Sequence, residues 1–148
     1  MREGLREGMS ATVHTVVTDD MVARLGGQMI HPVLATARMI EWMEWAGRSL
    51  ILPYLDDDED AVGFEICVTH TAPTLVGESF SATATFRARA ASRIVTDVVA
   101  ANARGVIGQG VFTQVLIPKA ELKRRLEALR KDRPPNQTGG ESPRDADP

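Results

Sequence analysis

The sequence contains few of the residues that mark a metal site or a disulfide-rich protein. Its 148 residues include one cysteine, Cys67, and three histidines. A single cysteine excludes a disulfide within the chain, and no cysteine or histidine has the spacing of a zinc site. We therefore expect no bound metal and a cytoplasmic location.

Long apolar runs and a strong excess of one charge are also absent. No apolar run approaches the length of a membrane span, and residues 1–8 lack the apolar centre of a signal peptide. The net charge of -3 gives no electrostatic footprint for nucleic acid. The composition therefore argues against a membrane protein and against a nucleic-acid-binding protein.

What remains is the composition of one ordinary globular domain. A chain of this length with 43% hydrophobic residues can bury a substantial core. We expect an N-terminal extension over residues 1–9, one domain over residues 10–131 and a disordered polar tail over residues 132–148, which has little apolar surface to bury.

Hydrophobic periodicity predicts the secondary structure of that domain. Five segments have the alternation and turn residues of strands, namely residues 10–17, 63–72, 78–90, 93–103 and 106–117. Helical spacing covers residues 35–52, and a second, short helix follows Pro118.

Two connections have a distinct composition. Residues 19–32 contain Gly26-Gly27 and end in His31-Pro32, which bars a helix at His31 and predicts a loop with a turn into the long helix. The acidic residues 56–60 lack the alternating oxygen ligands of a calcium loop, so we interpret them as a solvated connection.

The order of these elements predicts the fold. One strand, one long apolar helix and then a series of long antiparallel strands is typical of an α+β protein. We predict a hotdog fold, in which an antiparallel sheet wraps around a long central helix. A single curved sheet leaves an exposed edge, so we also expect a homodimer.

The side chains best suited to chemistry are His70 and Glu44. Alternation puts His70 on the apolar face of its strand together with Phe64, and Glu44 lies in the apolar stripe of the long helix. An imidazole and a carboxylate in one interior need partners there, which indicates acid–base chemistry. The alternatives are a satisfied core histidine, and a glutamate at a solvated helix margin or a subunit contact.

A set of short motifs resembles the fluoroacetyl-CoA thioesterase family of hotdog proteins, in the same order and with nearly the same spacing. The motifs are Ala35-Thr36, Met43-Glu44-Trp45-Ala46, Pro53-Tyr54-Leu55, Gly63, Ile66-Cys67-Val68-Thr69-His70-Thr71-Ala72 and Ile107-Gly108-Gln109-Gly110. The resemblance extends from about Ser10 to Lys131. It implies a catalytic triad of Thr36, Glu44 and His70, with Gly63 lining the thioester site.

The resemblance implies hydrolysis of a small acyl-CoA, or of an acyl-carrier thioester, to a free acid and a thiol. Glu44 either attacks the carbonyl or activates water, His70 moves the proton, and Thr36 donates a hydrogen bond unless it only caps the helix. No cofactor is implied, because coenzyme A is part of the substrate. The alternatives are an acyl-thioester dehydratase and a non-catalytic acyl-CoA binding module.

One position departs from the family pattern. Members selective for fluoroacetyl carry a bulky aromatic residue ahead of the threonine, and that position falls on Ile30. We therefore expect a substrate-binding role for Ile30 in a thioesterase without strong fluoroacetyl selectivity.

The spacing of the implied triad raises a geometric problem. Thr36 and Glu44 are eight residues apart, which is about 12 Å along one continuous helix. Thr36 must therefore lie in the loop before the helix and fold back, or serve the site through water or across a dimer interface.

Overall fold

Seven strands and two α-helices make up the described part of the chain. The computed structural model describes residues 1–133, so most of the predicted tail lies outside the described residues. The strands are β1 (Ser10–Val16), β2 (Val22–Leu25), β3 (Gln28–Leu34), β4 (Glu59–His70), β5 (Ser79–Ala90), β6 (Arg93–Asn102) and β7 (Gly105–Pro118). The helices are α1 (Thr36–Ile51) and α2 (Lys119–Lys131).

Five of the strands form one antiparallel sheet that wraps around α1. Their order is β1-β5-β6-β7-β4, so β1 and β4 are the two edge strands. α1 packs mainly against β5 and β1, and contacts β4 and β7 much less. This arrangement confirms the predicted α+β architecture with a central helix. It also leaves the β4 end of the sheet open.

The sequence of α1 explains its place in the core. Met39, Met43, Ala46 and Leu50 recur at helical spacing and are all buried. Position 47 of the same helix needs a glycine, because a Cβ atom there would come within 2.7 Å of Cδ1 of Phe112 on β7. Among residues 1–133, neither helix is long and apolar enough to cross a membrane.

The segment predicted as a loop before α1 is instead a β-hairpin. β2 and β3 pair antiparallel, and Gly26-Gly27 form the turn with φ angles of 57° and 82°. Two consecutive positive φ angles match the right-handed twist of a two-residue hairpin, and glycine adopts them without strain. His31 is extended as expected, but it lies within β3 rather than in a turn, so that prediction was wrong.

β4 differs from its prediction at its first half. It begins at Glu59, inside the acidic run, and Asp60 pairs with Arg48 at 2.9 Å. The interpretation of residues 56–60 as a solvated connection is therefore wrong for its last residues. Ladder pairing drives the difference, since Glu59 and Asp60 lie opposite the end of β7.

A β-bulge at Phe64 changes the face that this residue occupies. Gly63 pairs with Gln114 and Glu65 pairs with Thr113, which leaves Phe64 without a partner in the ladder. Its ring is exposed, and Cζ of Arg93 lies 4.7 Å from the ring centroid. The prediction that Phe64 shares the apolar face of His70 was therefore wrong.

Residues 1–9 lie against the rim of the domain. The amide of Arg2 donates to the carbonyl of Tyr54 at 2.7 Å, and the amide of Gly8 donates to the carbonyl of Phe86 at 2.9 Å. The amino terminus forms ion pairs with Asp56 and Glu59. The division into extension, domain and tail remains a prediction.

Candidate active site

Thr36 and His70 form the first half of the site. Thr36 is the first residue of α1, and its Oγ1 lies 2.9 Å from Nδ1 of His70 near the end of β4. The other ring nitrogen of His70, Nε2, is buried and has no hydrogen-bond partner within residues 1–133. The threonine hydroxyl thus holds one side of the imidazole, and the described chain leaves the other ring nitrogen without a partner.

Glu44 and Gly63 form the second half, two turns further along α1. A Cβ atom on Gly63 would lie 3.3 Å from Oε1 of Glu44, so the carboxylate is directly over the glycine. Both residues line a cavity of about 470 Å³ between α1 and the β4–β7 end of the sheet. The cavity is lined by Glu41, Trp42, Glu44, Trp45, Arg48, Ala61, Gly63, Phe112 and Gln114.

The guanidinium group of Arg48, which lines this cavity, already has two partners within the chain. Nη1 of Arg48 donates to the carbonyl of Ala61 at 3.1 Å, and Nη2 pairs with Asp60 at 2.9 Å. Burial opposes ionisation of Asp60, but the Ala61 amide and Arg48 outweigh it, so the pKa of Asp60 is lowered. The ionised pair therefore fixes the start of β4 beside the cavity.

The two halves do not meet within one chain. Gly63 lies before the middle of β4 and His70 at its end, so the two residues are roughly 20 Å apart at the rise of a strand. Thr36, His70 and Ile30 are not among the residues that line the Glu44 cavity. Of the predicted site residues, the chain brings together Thr36 with His70, and Glu44 with Gly63.

One expectation about these residues was wrong, and the structure excludes one of the alternatives left open for Thr36. Glu44 is exposed in the single chain rather than directed into an apolar interior, because α1 packs mainly against β5 and β1 and leaves this face uncovered. Thr36 lies within α1 rather than in a preceding loop. Its hydroxyl bonds to His70 and does not cap the helix, whose N-cap is Ala35.

Ile30 lies outside both halves, on the hairpin. It is in β3 and is 44% exposed. The end of β3 is held next to the start of α1, because the Leu34 amide donates to the carbonyl of Thr74 and the Ala35 amide to that of Met21, each at 2.9 Å. Ile30 is therefore positioned by the same short segment that leads to Thr36.

Sequence reasoning missed Gln114 as a member of the cavity. Gln114 is buried, lines the cavity, and has an Nε2 atom without a hydrogen-bond partner in the described chain. The available signal was a single amide among the apolar residues on the inward face of β7, between Phe112 and Leu116. That signal is weak without knowledge of which residue lies opposite.

Comparison with known proteins identifies the family. Residues 17–120 match the family of fluoroacetyl-CoA-specific thioesterases. The chain belongs to this family. It is also 32% identical over 127 residues to the fluoroacetyl-CoA thioesterase of Streptantibioticus cattleyicolor, a match that covers 79% of this chain and 88% of the relative.

Solved structures of thioesterases have the same fold as this family member. A thioesterase superfamily member from Thermus thermophilus superposes with a TM-score of 0.84 at 35% identity, covering 86% of this chain and 95% of its own. A structure of the fluoroacetyl-CoA thioesterase FlK superposes with a TM-score of 0.81 at 29% identity, covering 89% and 100%. A hot-dog-like protein from Thermanaerovibrio acidaminovorans, at 18% identity and a TM-score of 0.78, supports the fold alone.

Family membership decides between the functions that the sequence left open. The chain is a hotdog-fold enzyme that hydrolyses acyl-CoA thioesters. The dehydratase and the non-catalytic binding module are therefore less well supported than the hydrolase.

Proposed function

We propose that this thioesterase hydrolyses a small acyl-CoA at a site that two copies of the chain assemble. One copy supplies Glu44 with Gly63, and its partner supplies Thr36 with His70. The observation that carries the proposal is the separation of these two pairs within one chain, although each pair is individually well formed. In this assembly the triad implied by the sequence acts across an interface.

The open edge of the sheet supports such an assembly. β4 is an edge strand, and Gly63, Cys67 and Thr69 are exposed along it. An unpaired edge of this length is a template for pairing with a second strand. Antiparallel pairing of two β4 strands about a two-fold axis near Cys67 would bring His70 of each copy opposite the Gly63–Phe64 bulge of the other.

The chemistry of the four side chains suits thioester hydrolysis. The oxygen that adds to the carbonyl carbon comes from a water that Glu44 deprotonates, or from the Glu44 carboxylate itself, in which case water then hydrolyses the resulting anhydride to the free acid. His70, held by Thr36, gives a proton to the leaving thiolate as the carbon–sulfur bond breaks. Gly63 keeps the space over the carboxylate free, because any side chain there would meet Glu44 at 3.3 Å.

We also propose the acyl preference, the carrier and the cellular location. Ile30 is smaller than the aromatic residue of fluoroacetyl-selective members, so we propose a graded preference for acyl groups larger than fluoroacetyl. The carrier is coenzyme A or an acyl carrier protein, and no separate cofactor takes part. We propose a cytoplasmic location, in keeping with a single cysteine.

Complementation between two inactive variants tests the shared site. Glu44→Gln and His70→Ala are each expected to lose turnover while remaining folded. In a mixed dimer of the two variants, one site combines an intact Glu44 with an intact His70 from different copies. Random pairing should therefore restore about a quarter of wild-type turnover, since half the dimers are mixed and each has one intact site.

The same mixture distinguishes a site shared between two copies from a site within one chain. A site within one chain predicts no recovery, because every copy lacks one of the two residues. Glu127→Gln, an equivalent change on α2 away from the cavity, is the matched control and should keep wild-type turnover in every mixture. If Glu44→Gln alone keeps wild-type turnover, the proposed role of Glu44 is wrong.

A further inference from the structure

Gln114 has an environment that the triad does not explain. It lies on β7 directly opposite Gly63 and is only 2% exposed. Its Nε2 atom is buried without a hydrogen-bond partner in residues 1–133. The residue nevertheless lines the cavity that contains Glu44, so an unpartnered amide lies at the wall of the site.

The packing around the amide is specific. An added Cβ atom on Gly47 would come within 3.3 Å of Nε2 of Gln114, besides its closer contact with the Phe112 ring, so the amide packs against the bare backbone of α1. Gly47 follows Glu44 by three residues and therefore lies on the same face of α1. Glu44 and Gly47 on the helix thus face Gly63 and Gln114 on the sheet.

A buried amide without a partner destabilises a fold relative to an apolar side chain of the same shape. Native proteins contain few such groups, and each needs an explanation. An explanation available here is a partner that arrives with the substrate. The acyl thioester brings one suitable acceptor into the cavity, which is its carbonyl oxygen.

We infer that Gln114 is a further catalytic residue, whose side-chain amide donates a hydrogen bond to the thioester carbonyl oxygen. This inference rests on the proposed role of Glu44. This role places the thioester carbonyl carbon next to the Glu44 carboxylate and its oxygen toward the strand pair, where Gln114 lies opposite Gly63. Rotation about the last side-chain torsion directs the N–H group into the cavity, since that torsion is soft.

The donor acts on the addition step. As the new carbon–oxygen bond forms, the carbonyl π electrons move to the oxygen, and the amide N–H stabilises the resulting oxyanion. When the oxyanion collapses, the carbon–sulfur bond breaks and the thiolate takes the proton from His70. A neutral amide suits this position, because it stabilises the oxyanion without pairing permanently with the nearby Glu44 carboxylate.

The variant Gln114→Met tests this role, because it keeps the volume of the side chain and removes the donor. We expect kcat to fall by about 10² to 10³, as for loss of one oxyanion donor, with little change in KM. The melting temperature should stay the same or rise, since an unpartnered polar group has been removed. Gln109→Met, at an exposed position of the same strand, is the matched control and should change neither.

Retention of wild-type kcat would contradict the inference. If Gln114→Met melts higher and keeps wild-type kcat, Gln114 is a tolerated core residue and the inference is wrong. If that variant does not fold, Gln114→Leu is measured in its place with the same expectations. A dead Glu44→Gln combined with a fully active Gln114→Met overturns only this inference, whereas a fully active Glu44→Gln overturns the proposed function beneath it.

Discussion

At the scale of single residues, the proposed site depends on two specific contacts. The Thr36 hydroxyl contacts Nδ1 of His70, and the absence of a side chain at Gly63 leaves room for the Glu44 carboxylate. None of these four residues belongs to the buried hydrophobic core. Substitutions at these positions should therefore change turnover much more than stability.

Thr36 provides a matched pair of substitutions. Thr36→Ser keeps the hydroxyl that meets His70, whereas Thr36→Val keeps the shape and removes it. We expect Thr36→Val to lower kcat about tenfold or more, because a hydrogen bond to a charged group contributes about 1.5–3 kcal/mol and His70 carries the proton that it gives to the thiolate. Thr36→Ser should remain close to wild type.

Steady-state kinetics over a range of pH checks this expectation. Equal activity of Thr36→Ser and Thr36→Val would mean that the hydroxyl only orders the start of α1.

At the scale of elements, the β2–β3 hairpin and the turn before β5, residues 71–78, lie next to the start of α1. The isolated bridge between Val33 and Leu75 joins these two segments. The hairpin carries Ile30 and Met29, both exposed in the single chain. Because neighbouring residues of a strand point to opposite faces, a ligand at the site meets only one of the two.

The first prediction for these elements concerns acyl selectivity. Ile30→Phe should lower kcat/KM for larger acyl groups more than for acetyl or fluoroacetyl, because a pocket methylene is worth about 1–3 kcal/mol. Met29→Phe adds a ring on the other face of the strand and should leave the preference unchanged. A series of acyl-CoAs with a thiol-release assay measures both variants.

The selectivity of the unaltered enzyme provides a second check. A wild-type preference for fluoroacetyl over acetyl of about a thousandfold, or roughly 4 kcal/mol, would contradict a gating role for Ile30.

The second prediction concerns acid stability of the turn before β5. Arg104, followed by the Leu75 amide, lowers the pKa of Glu78 from 4.5 to about 2. Because the folded pKa lies below the unfolded one, the ionised pair stabilises the fold above the unfolded pKa of 4.5, and this stabilisation is lost as the pH falls toward 2. The pair is solvent-exposed, so the effect on the melting temperature should be small.

Glu78→Gln isolates this contribution. Its melting temperature should fall less steeply than that of wild type between pH 5 and pH 2.5, a range that lies within about two units of the unfolded pKa. Glu127→Gln should retain the wild-type slope, because its pairing with Lys123 is long, at 4.0 Å. Parallel curves for Glu78→Gln and wild type would rule out the Glu78–Arg104 pair as the source.

At the scale of the whole molecule, the position of α1 determines which end of the sheet is left uncovered. The helix covers the β1–β5 half of the sheet, while the β4–β7 end remains open and lines the cavity. Glu44, Trp45 and Phe64 are exposed in this region of the single chain. A second copy at β4 would bury this surface and complete the site.

Cys67 gives a direct test of that arrangement. It is exposed near the middle of the edge strand β4, and it is the single cysteine of the chain, so any disulfide must join two copies. Antiparallel strands paired around Cys67 would bring the two Cα atoms within about 4.4–6.8 Å, the span of a disulfide. A mild oxidant should therefore convert the native protein to a covalent dimer on a non-reducing gel.

Two controls allow the gel to be interpreted. Cys67→Ser should give no covalent dimer, and denatured protein at the same concentration should cross-link much more slowly. A monomer by light scattering at micromolar concentration, without rapid cross-linking, would contradict pairing at β4.

The sequence by itself determined the elements that have long, regular patterns. The spacing of Met39, Met43, Ala46 and Leu50 specified a buried helix, and alternation specified β5, β6 and β7 closely. The motifs around Thr36, Glu44 and His70 also indicated the thioesterase family. The helix and the strands depend on residues near one another in the chain, which is why local periodicity could predict them, whereas the family followed from the resemblance of the motifs.

The tertiary structure decided the features that depend on which residues lie opposite one another. The bulge at Phe64, the strand pairing of the acidic run and the cavity position of Gln114 arise from the register between β4 and β7. The separation of Thr36–His70 from Glu44–Gly63 depends on the path of α1 over the sheet. Register and packing are set by long-range contacts, so residues distant in sequence determine them and no local pattern reveals them.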